Sequence, residues 1–274
     1  MPASFVVVPQ WQGSGSSRAM RLVDGAEAIR GDLPAASTRL VDVPLESGDA
    51  RGTDIARFGS LLAVTERMTE LLAETPDDDW VLTIGGDCGV ELAAIDHARS
   101  RHDDLAVVWF DAHPDLNSVE ESESHAFTGM VLRALTGDGE AGLTGGLSPS
   151  RIVLAGTRAL DLGEELYIAA ENIPVLGVEA LGDPAALVAA VTATGATSVY
   201  VHVDLDVLDP SQLLGLGSPV PFGLETAALV ELIRALKQSF TLAGAGITEF
   251  APANADEAAD DMPSILRIIG ALTK

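Results

Sequence analysis

Four short stretches of this chain gather residues that can hold a cation or move a proton: Gly85-Gly86-Asp87-Cys88, Asp111-Ala112-His113-Pro114-Asp115, Asp204-Leu205-Asp206, and Glu249. A lone carboxylate in such a place would be unremarkable, because Asp commonly caps the helix or turn that follows it. Alternate residues of an extended backbone point to one side, so Asp111, His113 and Asp115 are presented together, as are Asp204 and Asp206. Six carboxylates meeting on one rim with an imidazole and a thiol would repel one another strongly unless neutralised. One or two divalent cations are the simplest neutraliser. A carboxylate-rich set with a single imidazole suits Mn²⁺ or a similar borderline-hard ion better than structural zinc.

Strand ends are what must position these groups. Short Val/Leu/Ile runs alternate with helical patterns along the chain, which predicts an α/β fold: three α/β/α layers around a mostly parallel eight-stranded sheet. Strands are expected over 4–8, 38–43, 80–84, 105–111, 152–155, 175–177, 199–204 and 242–248. The chemical stretches follow the third, fourth, seventh and eighth of these, and ligands of such sheets collect beyond the carboxyl ends of the strands. Helices are expected over 54–74, 89–100, 184–194, 225–238 and 257–272, with another opening near Leu162. In the first of them Ile55, Phe58, Leu61, Leu62, Thr65, Met68, Leu71 and Leu72 fall on one stripe. There is no repeat, heptad or break in composition, and the Gly/Ser/Pro-rich stretch over 137–150 is too short for a domain linker. Residues 1–274 are therefore expected to form a single domain.

The chain has 274 residues, 16 Lys plus Arg against 41 Asp plus Glu, a formal charge of −25, and is 47% hydrophobic. That apolar content excludes a disordered acidic tail. The negative excess speaks against nucleic acid or an anionic membrane as partner, since binding either begins with Lys and Arg neutralising phosphates. Cationic partners fit better. The single Cys88 excludes an intramolecular disulfide and points to a reducing compartment. The first residues lack the basic and apolar regions of a secretory signal, and no apolar run approaches the ~18 residues that span a bilayer. A cytoplasmic location is the expectation.

In order and spacing the four stretches resemble the ureohydrolase (arginase/agmatinase) superfamily, whose motifs are GGDH, DAHxD, DxDxxDP and a late Glu. Here they read GGDC (85–88), DAHPD (111–115), DLDVLDP (204–210) and Glu249 within TEF. The resemblance runs from about Trp80 to Glu249, with the loop over 12–17 as an N-terminal counterpart. It implies an arginase-like fold and two Mn²⁺ ions bridged by Asp111 and Asp204, with Asp115 and Cys88 completing one site and His113 and Asp206 the other. It implies amidinohydrolase chemistry on a small cationic guanidino substrate: attack by activated water on the guanidino carbon, Glu249 pairing with the guanidinium, and Asp115 accepting the proton of the nucleophile. At the amino-acid end it implies that Asn117 and Ser124 meet the α-carboxylate. Asp161 and Glu164, in a GxRxxDxxE segment over 156–164, would hold the α-amino group, and Ser218 lies near the substrate. Asp161 can equally be read as the cap of the helix near Leu162. Members of the superfamily commonly form trimers or hexamers, so a homo-oligomer stays open.

Two positions depart from the family pattern. Cys88 stands where the first motif has a metal-binding His. Four Asp side chains already balance two divalent cations, so a Cys88 thiolate leaves the centre negative, and such a centre acidifies bound water less. Thiolate is also a soft ligand for Mn²⁺, which opens the site to another divalent metal. Cys88 could ligate a metal in a specialised branch, leave a site half-occupied in a mononuclear enzyme, or be a small buried filler in a non-catalytic member. The Cys-containing pattern resembles the branch that hydrolyses Nω-hydroxy-L-arginine to hydroxyurea and ornithine. The second departure is Thr128-Gly129-Met130 where arginases carry HGM. Thr cannot act as a general acid near neutral pH, and His125, three residues earlier, is either its substitute or a solvated loop residue.

Thr128 is then left as a substrate-side residue. An N-hydroxy group lowers the basicity of the guanidine, so hydroxyarginine would suffer less from the missing proton donor. His97, His102 and His202 lack ligand spacing with the clusters; His202 alternates with Asp204 on one strand, as a packed strand residue or one standing behind the ligands. The expected activity is cleavage of Nω-hydroxy-L-arginine or L-arginine to ornithine plus hydroxyurea or urea. The alternatives are an agmatinase, guanidinobutyrase or formimidoylglutamase, or a non-catalytic regulatory subunit that keeps the fold.

Overall fold

The strands β3 (Trp80–Gly85), β4 (Leu105–Phe110) and β7 (Ser198–Asp204) are buried at every position. Nearly continuous apolar runs of this kind belong to parallel strands covered on both faces. The computed structural model describes residues 3–274; Met1 and Pro2, which the one-domain expectation includes, lie outside the described residues. The remaining strands are β1 (Ala3–Val8), β2 (Thr38–Leu40), β5 (Ile152–Ala155), β6 (Val175–Leu176) and β8 (Thr241–Thr248). All eight join one sheet in the order β2-β1-β3-β8-β7-β4-β5-β6, and every pairing is parallel.

Among the described residues eight α-helices cover the sheet: α1 (Arg21–Gly31), α2 (Phe58–Ala73), α3 (Glu91–Arg101), α4 (Val131–Leu135), α5 (Leu162–Glu171), α6 (Pro184–Ala193), α7 (Thr226–Ser239) and α8 (Ala255–Thr273). Strand alternation divides the core in two. Val7, Ala106, Val108 and Phe110 pack with α1, α6, α7 and α8, whereas Val6, Val8, Val107 and Trp109 pack with α2, α3 and α4. Among the described residues no helix is long and apolar enough to cross a membrane.

The sheet order brings β3, β8, β7 and β4 side by side at its centre. The four chemical stretches therefore leave neighbouring strand ends, although up to 160 residues separate Cys88 from β8's Thr248, whose hydroxyl lies 3.2 Å from its thiol. Gly86 lets the β3 end pass close against the N-terminal loop, because a Cβ on it would lie 1.7 Å from the Gln10 carbonyl oxygen. The edges differ from expectation. β2 stops at Leu40 rather than 43, and α2 begins at Phe58 because Arg57, with φ +59°, is left-handed and breaks the stripe that starts at residue 54.

Candidate metal centre and substrate cleft

Backbone amides stitch the β4 and β7 ends together. Asp111 Oδ1 accepts from the His113 N–H at 2.7 Å, Asp204 Oδ1 from the Asp206 N–H at 2.7 Å, and Asp206 Oδ1 from the Ala112 N–H at 3.1 Å. Asp204 and Asp206 thus each turn their second oxygen inward, while Asp111 Oδ2 accepts from the Trp109 indole N–H at 3.1 Å. His113 Nδ1 lies 3.0 Å from Asp206 Oδ2 and 3.5 Å from Asp111 Oδ1, and these three donors form one compact group.

Cys88 opens the short 3₁₀ turn that follows β3, and its side chain is fully buried. Its Sγ lies 3.3 Å from Asp204 Oδ2 and 3.8 Å from His202 Nε2. Two further compact donor groups share it: Cys88 with Asp204 and Glu249, and Cys88 with Asp111 and His202. Asp115 belongs to none of these groups. It is held at a left-handed φ of +52° because its carbonyl accepts from the Leu132 and Arg133 N–H groups at the start of α4. Its Oδ2 is buried with no hydrogen-bond partner. Asp87, the acidic member of the first stretch, points elsewhere: it accepts from Gln10 Nε2, Gly13 N and Gly89 N at 2.8–2.9 Å and ties the N-terminal loop to the β3 end.

The crowding shows in the acidities. Burial, then the charges of its neighbours, pushes Asp115 and Asp204 well above the carboxylate range. Burial and Asp111 push Asp206 up to about 6, and burial, Asp87 and nearby Asp charges push Glu249 up to about 8. Burial and the surrounding carboxylates also raise the Cys88 thiol. Burial disfavours charge on His113 too, yet hydrogen bonds to Asp111 and Asp206 and their charges prevail and push it up to about 11. The same contacts, with His202, hold Asp111 below its usual range against the effect of burial.

These residues fit divalent cations. The His113 proton lies between two carboxylates where a cation would serve both, Asp115 offers an unpaired buried oxygen, and no Lys or Arg lines the cleft among the described residues. Arg158, which feels the charges of Asp206 and Asp111, donates instead to the backbone carbonyls of Asp206, Gly156 and Val220.

The cleft above these groups has a volume of about 700 Å³ and is lined by Asn117, Ser124, Thr128, Asp161, Glu164, Ser218 and Glu249 together with Asp115, His113, Asp204 and Asp206. Asn117 Nδ2 donates to Asp161 Oδ2 at 3.0 Å. Asp161 is also the N-cap of α5, in a capping box with Glu164, so the cap reading holds. Both Glu164 oxygens are occupied, accepting from the Leu116 and Asp161 N–H groups at 3.0 and 2.9 Å. Thr128 Oγ1 accepts from the Cys88 N–H at 3.2 Å and donates to Glu249 Oε1 at 3.0 Å. Ser124 Oγ accepts from the Ala126 N–H at 3.2 Å. His125 is not part of this lining: its exposed ring meets the Asp54 carbonyl through Nδ1 at 2.9 Å.

Ser14 and Ser16 line the cleft as well, within the loop over 12–17 that the resemblance had singled out. Sequence reading missed Glu91, fully buried with both carboxylate oxygens unpaired and Oε1 3.6 Å from His202 Nδ1. As the first acidic residue of a helix it gave no sign of facing the sheet.

A family model described as the arginase family matches residues 17–267. The arginase of Staphylococcus aureus (strain MRSA252) is 28% identical over 221 residues, covering 77% of this chain and 73% of that protein. The N(omega)-hydroxy-L-arginine amidinohydrolase of Streptomyces lavendulae is 30% identical over 215 residues, covering 77% and 74%. Among solved structures, an arginase of Entamoeba histolytica matches with a TM-score of 0.87 at 22% identity, covering 99% of this chain and 98% of that one. At that identity the likeness is one of fold.

Proposed function

The chain belongs to the arginase family of amidinohydrolases, and from that premise we propose that it cleaves the guanidino C–N bond of Nω-hydroxy-L-arginine or L-arginine, releasing ornithine with hydroxyurea or urea. The observation that carries the amino-acid end of this reading is the Asn117–Asp161 pair in the cleft. Asn117 offers a neutral donor to a carboxylate and Asp161 an acceptor to an ammonium, a pairing that suits an α-amino acid and is wasted on agmatine. Ser124 and Ser218 add hydroxyl donors, and Glu164 braces Asp161 through its backbone N–H. Holding the remote end in this way turns binding energy into alignment at the reacting carbon.

Asp111, His113 and Asp206 would hold one divalent cation, with Mn²⁺ the proposed metal, and Cys88 with Asp204 would hold the other. When bound, two close cations supply a water acidified enough to attack at neutral pH and the positive charge that stabilises the tetrahedral transition state. Thr128 fixes Glu249 Oε1, and Oε2, on the side of Gly217, is left for the guanidinium. Asp115 would take the proton of the nucleophile, a role its buried, unpartnered Oδ2 supports. Thr128 is committed to Glu249 and cannot protonate the departing amine. A hydroxyguanidine, less basic than a guanidine, loses less from that gap, which favours hydroxyarginine over arginine.

The test is turnover of the metal-replete protein on Nω-hydroxy-L-arginine, L-arginine and agmatine, followed as ornithine and as urea or hydroxyurea. Hydroxyarginine should be the fastest and agmatine the slowest. Equal rates on arginine and agmatine would show that Asn117 and Asp161 do not read the α-substituents, and inertness to all three would refute the reading. The same proposal places a one-domain enzyme in the cytoplasm, and light scattering would report whether it is a homo-oligomer.

A further inference from the structure

We infer, resting on the reading above, that the floor of the cleft supplies a second imidazole: His202, oriented by Glu91, ligates the cation beside Cys88. That cation then sits among sulfur, nitrogen and oxygen donors and is a Zn²⁺- or Co²⁺-type ion rather than Mn²⁺. Three observations converge on this. The first is register. Thr83, Gly246, His202 and Trp109 form one row across β3, β8, β7 and β4, and His202 stands two residues below Asp204 on the same face. From there its Nε2 reaches to 3.8 Å from Cys88 Sγ and 3.9 Å from Asp111 Oδ2, within the compact donor group of those three residues.

The second observation is the space made for Glu91. Gly246 leaves a gap in the row, and a Cβ there would lie 1.7 Å from Glu91 Oε1. The carboxylate arrives from the first turn of α3, three residues after Cys88, so one local segment delivers both the sulfur and the group behind the imidazole. Stacking on Trp109, with ring centroids 3.5 Å apart, fixes the plane of His202.

The third is an unbalanced polar layer. His202 Nδ1, both Glu91 oxygens, Tyr200 Oη and Thr83 Oγ1 are buried without hydrogen-bond partners. These groups face one another at more than ideal hydrogen-bond length, His202 Nδ1 lying 3.6 Å from Glu91 Oε1 with Tyr200 beside Glu91 and Thr83, and a loosely satisfied buried layer of this kind is costly for a residue that only packs in the strand. A cation on Nε2 places the ring proton on Nδ1, facing Glu91. That is the carboxylate–imidazole–metal arrangement by which an outer carboxylate sets the tautomer and orientation of a ligating histidine. Thiolate with imidazole in an enclosed pocket raises affinity along the series from Mn²⁺ towards Co²⁺ and Zn²⁺.

The test is anaerobic Co²⁺ titration of the full chain with chelator competition, reading stoichiometry, affinity and the sulfur-to-cobalt charge-transfer band in the near ultraviolet. The wild type should bind two ions, one of them with the band. His202→Asn should weaken that ion by at least ~10-fold and leave the other unchanged. Glu91→Gln should weaken the same ion by about 10–100-fold, the usual cost of losing an outer-shell partner, while keeping the band. Unchanged affinity and spectrum in His202→Asn, or a wild type that binds cobalt without the band, would overturn the inference.

Should His202→Asn fail to fold, X-ray absorption on cobalt-loaded His113→Asn decides. The imidazole remaining near the donor groups is then His202, so sulfur and imidazole scattering together support the assignment and sulfur alone overturns it. A protein that binds both ions as expected but turns over no guanidino compound leaves the inference standing while the proposed function fails. An active protein with neither sulfur nor a second imidazole at cobalt does the reverse.

Discussion

Glu164 offers a direct energetic test of the cleft wall. Burial pushes its carboxyl from 4.5 up to about 7, although the Asp161 and Leu116 N–H groups bond to it. A carboxyl whose folded pKa is raised contributes stability that is fully present below its unfolded pKa and is lost as pH rises through the folded value. The loss therefore falls between about pH 4.5 and 7. Two and a half pKa units amount to about 3 kcal/mol. Glu164→Gln cannot titrate, so this slope disappears from the variant. Its amide still accepts one of the two backbone N–H bonds and leaves the other unmet, a pH-independent cost of about 1–3 kcal/mol. Urea unfolding of both proteins in chelator, followed by circular dichroism from about pH 4 to about pH 8, should show the variant gaining about 3 kcal/mol relative to wild type across the range. A stability difference that stays flat with pH would refute the burial of this charge and with it the bracing of Asp161.

Other variants probe other parts of the site. Asp87→Ala strips the acceptor from Gln10 Nε2, Gly13 N and Gly89 N. At roughly 1 kcal/mol or more for each stranded donor, thermal unfolding should report a loss of about 3–5 kcal/mol, and limited proteolysis should find the loop over 12–17 newly open. Thr128→His puts an imidazole beside Glu249 and should raise turnover of arginine relative to hydroxyarginine; a constant ratio would mean that the missing proton donor is not what limits arginine. Cys88→His should shift the bound metal towards Mn²⁺ by elemental analysis and change the same substrate ratio, whereas unchanged metal content and ratio would reduce Cys88 to a filler.

Much of this was legible in the sequence because it depends on local pattern. Continuous runs such as LAVVWF and SVYVHV, short, rich in β-branched and aromatic residues and bounded by polar turns, read as strands buried on both faces. Asp204 and Asp206 do meet in the cleft, but through a 3₁₀ turn over Leu205–Val207 and not through the extended alternation expected of them. What escaped was either diluted or non-local. Helix α1 buries Leu22, Ala26 and Ile29 at helical spacing, but Gly25 and flanking charges blur its stripe, and α4 is only five residues long. The cap that Asp161 makes on α5 is a local signal, whereas its bond to Asn117, 44 residues away in sequence, is not. Glu91 beneath His202 depends on the register of β8 against β7, which sets Gly246 beside His202, and on the missing side chain of that glycine. Neither fact is visible in one strand read alone. Asp87 looked like one more site carboxylate until its three backbone and side-chain donors were in place.

The most direct measurement is an anomalous difference map from crystals grown with Mn²⁺ or Co²⁺, recorded at each metal's absorption edge. Peaks are predicted in the cleft below Glu249, one in contact with His113 Nδ1, Asp111 and Asp206. A map without peaks at millimolar cation, with the Asp111, Asp204 and Asp206 oxygens bound only to backbone amides and water, would contradict a cation-centred site.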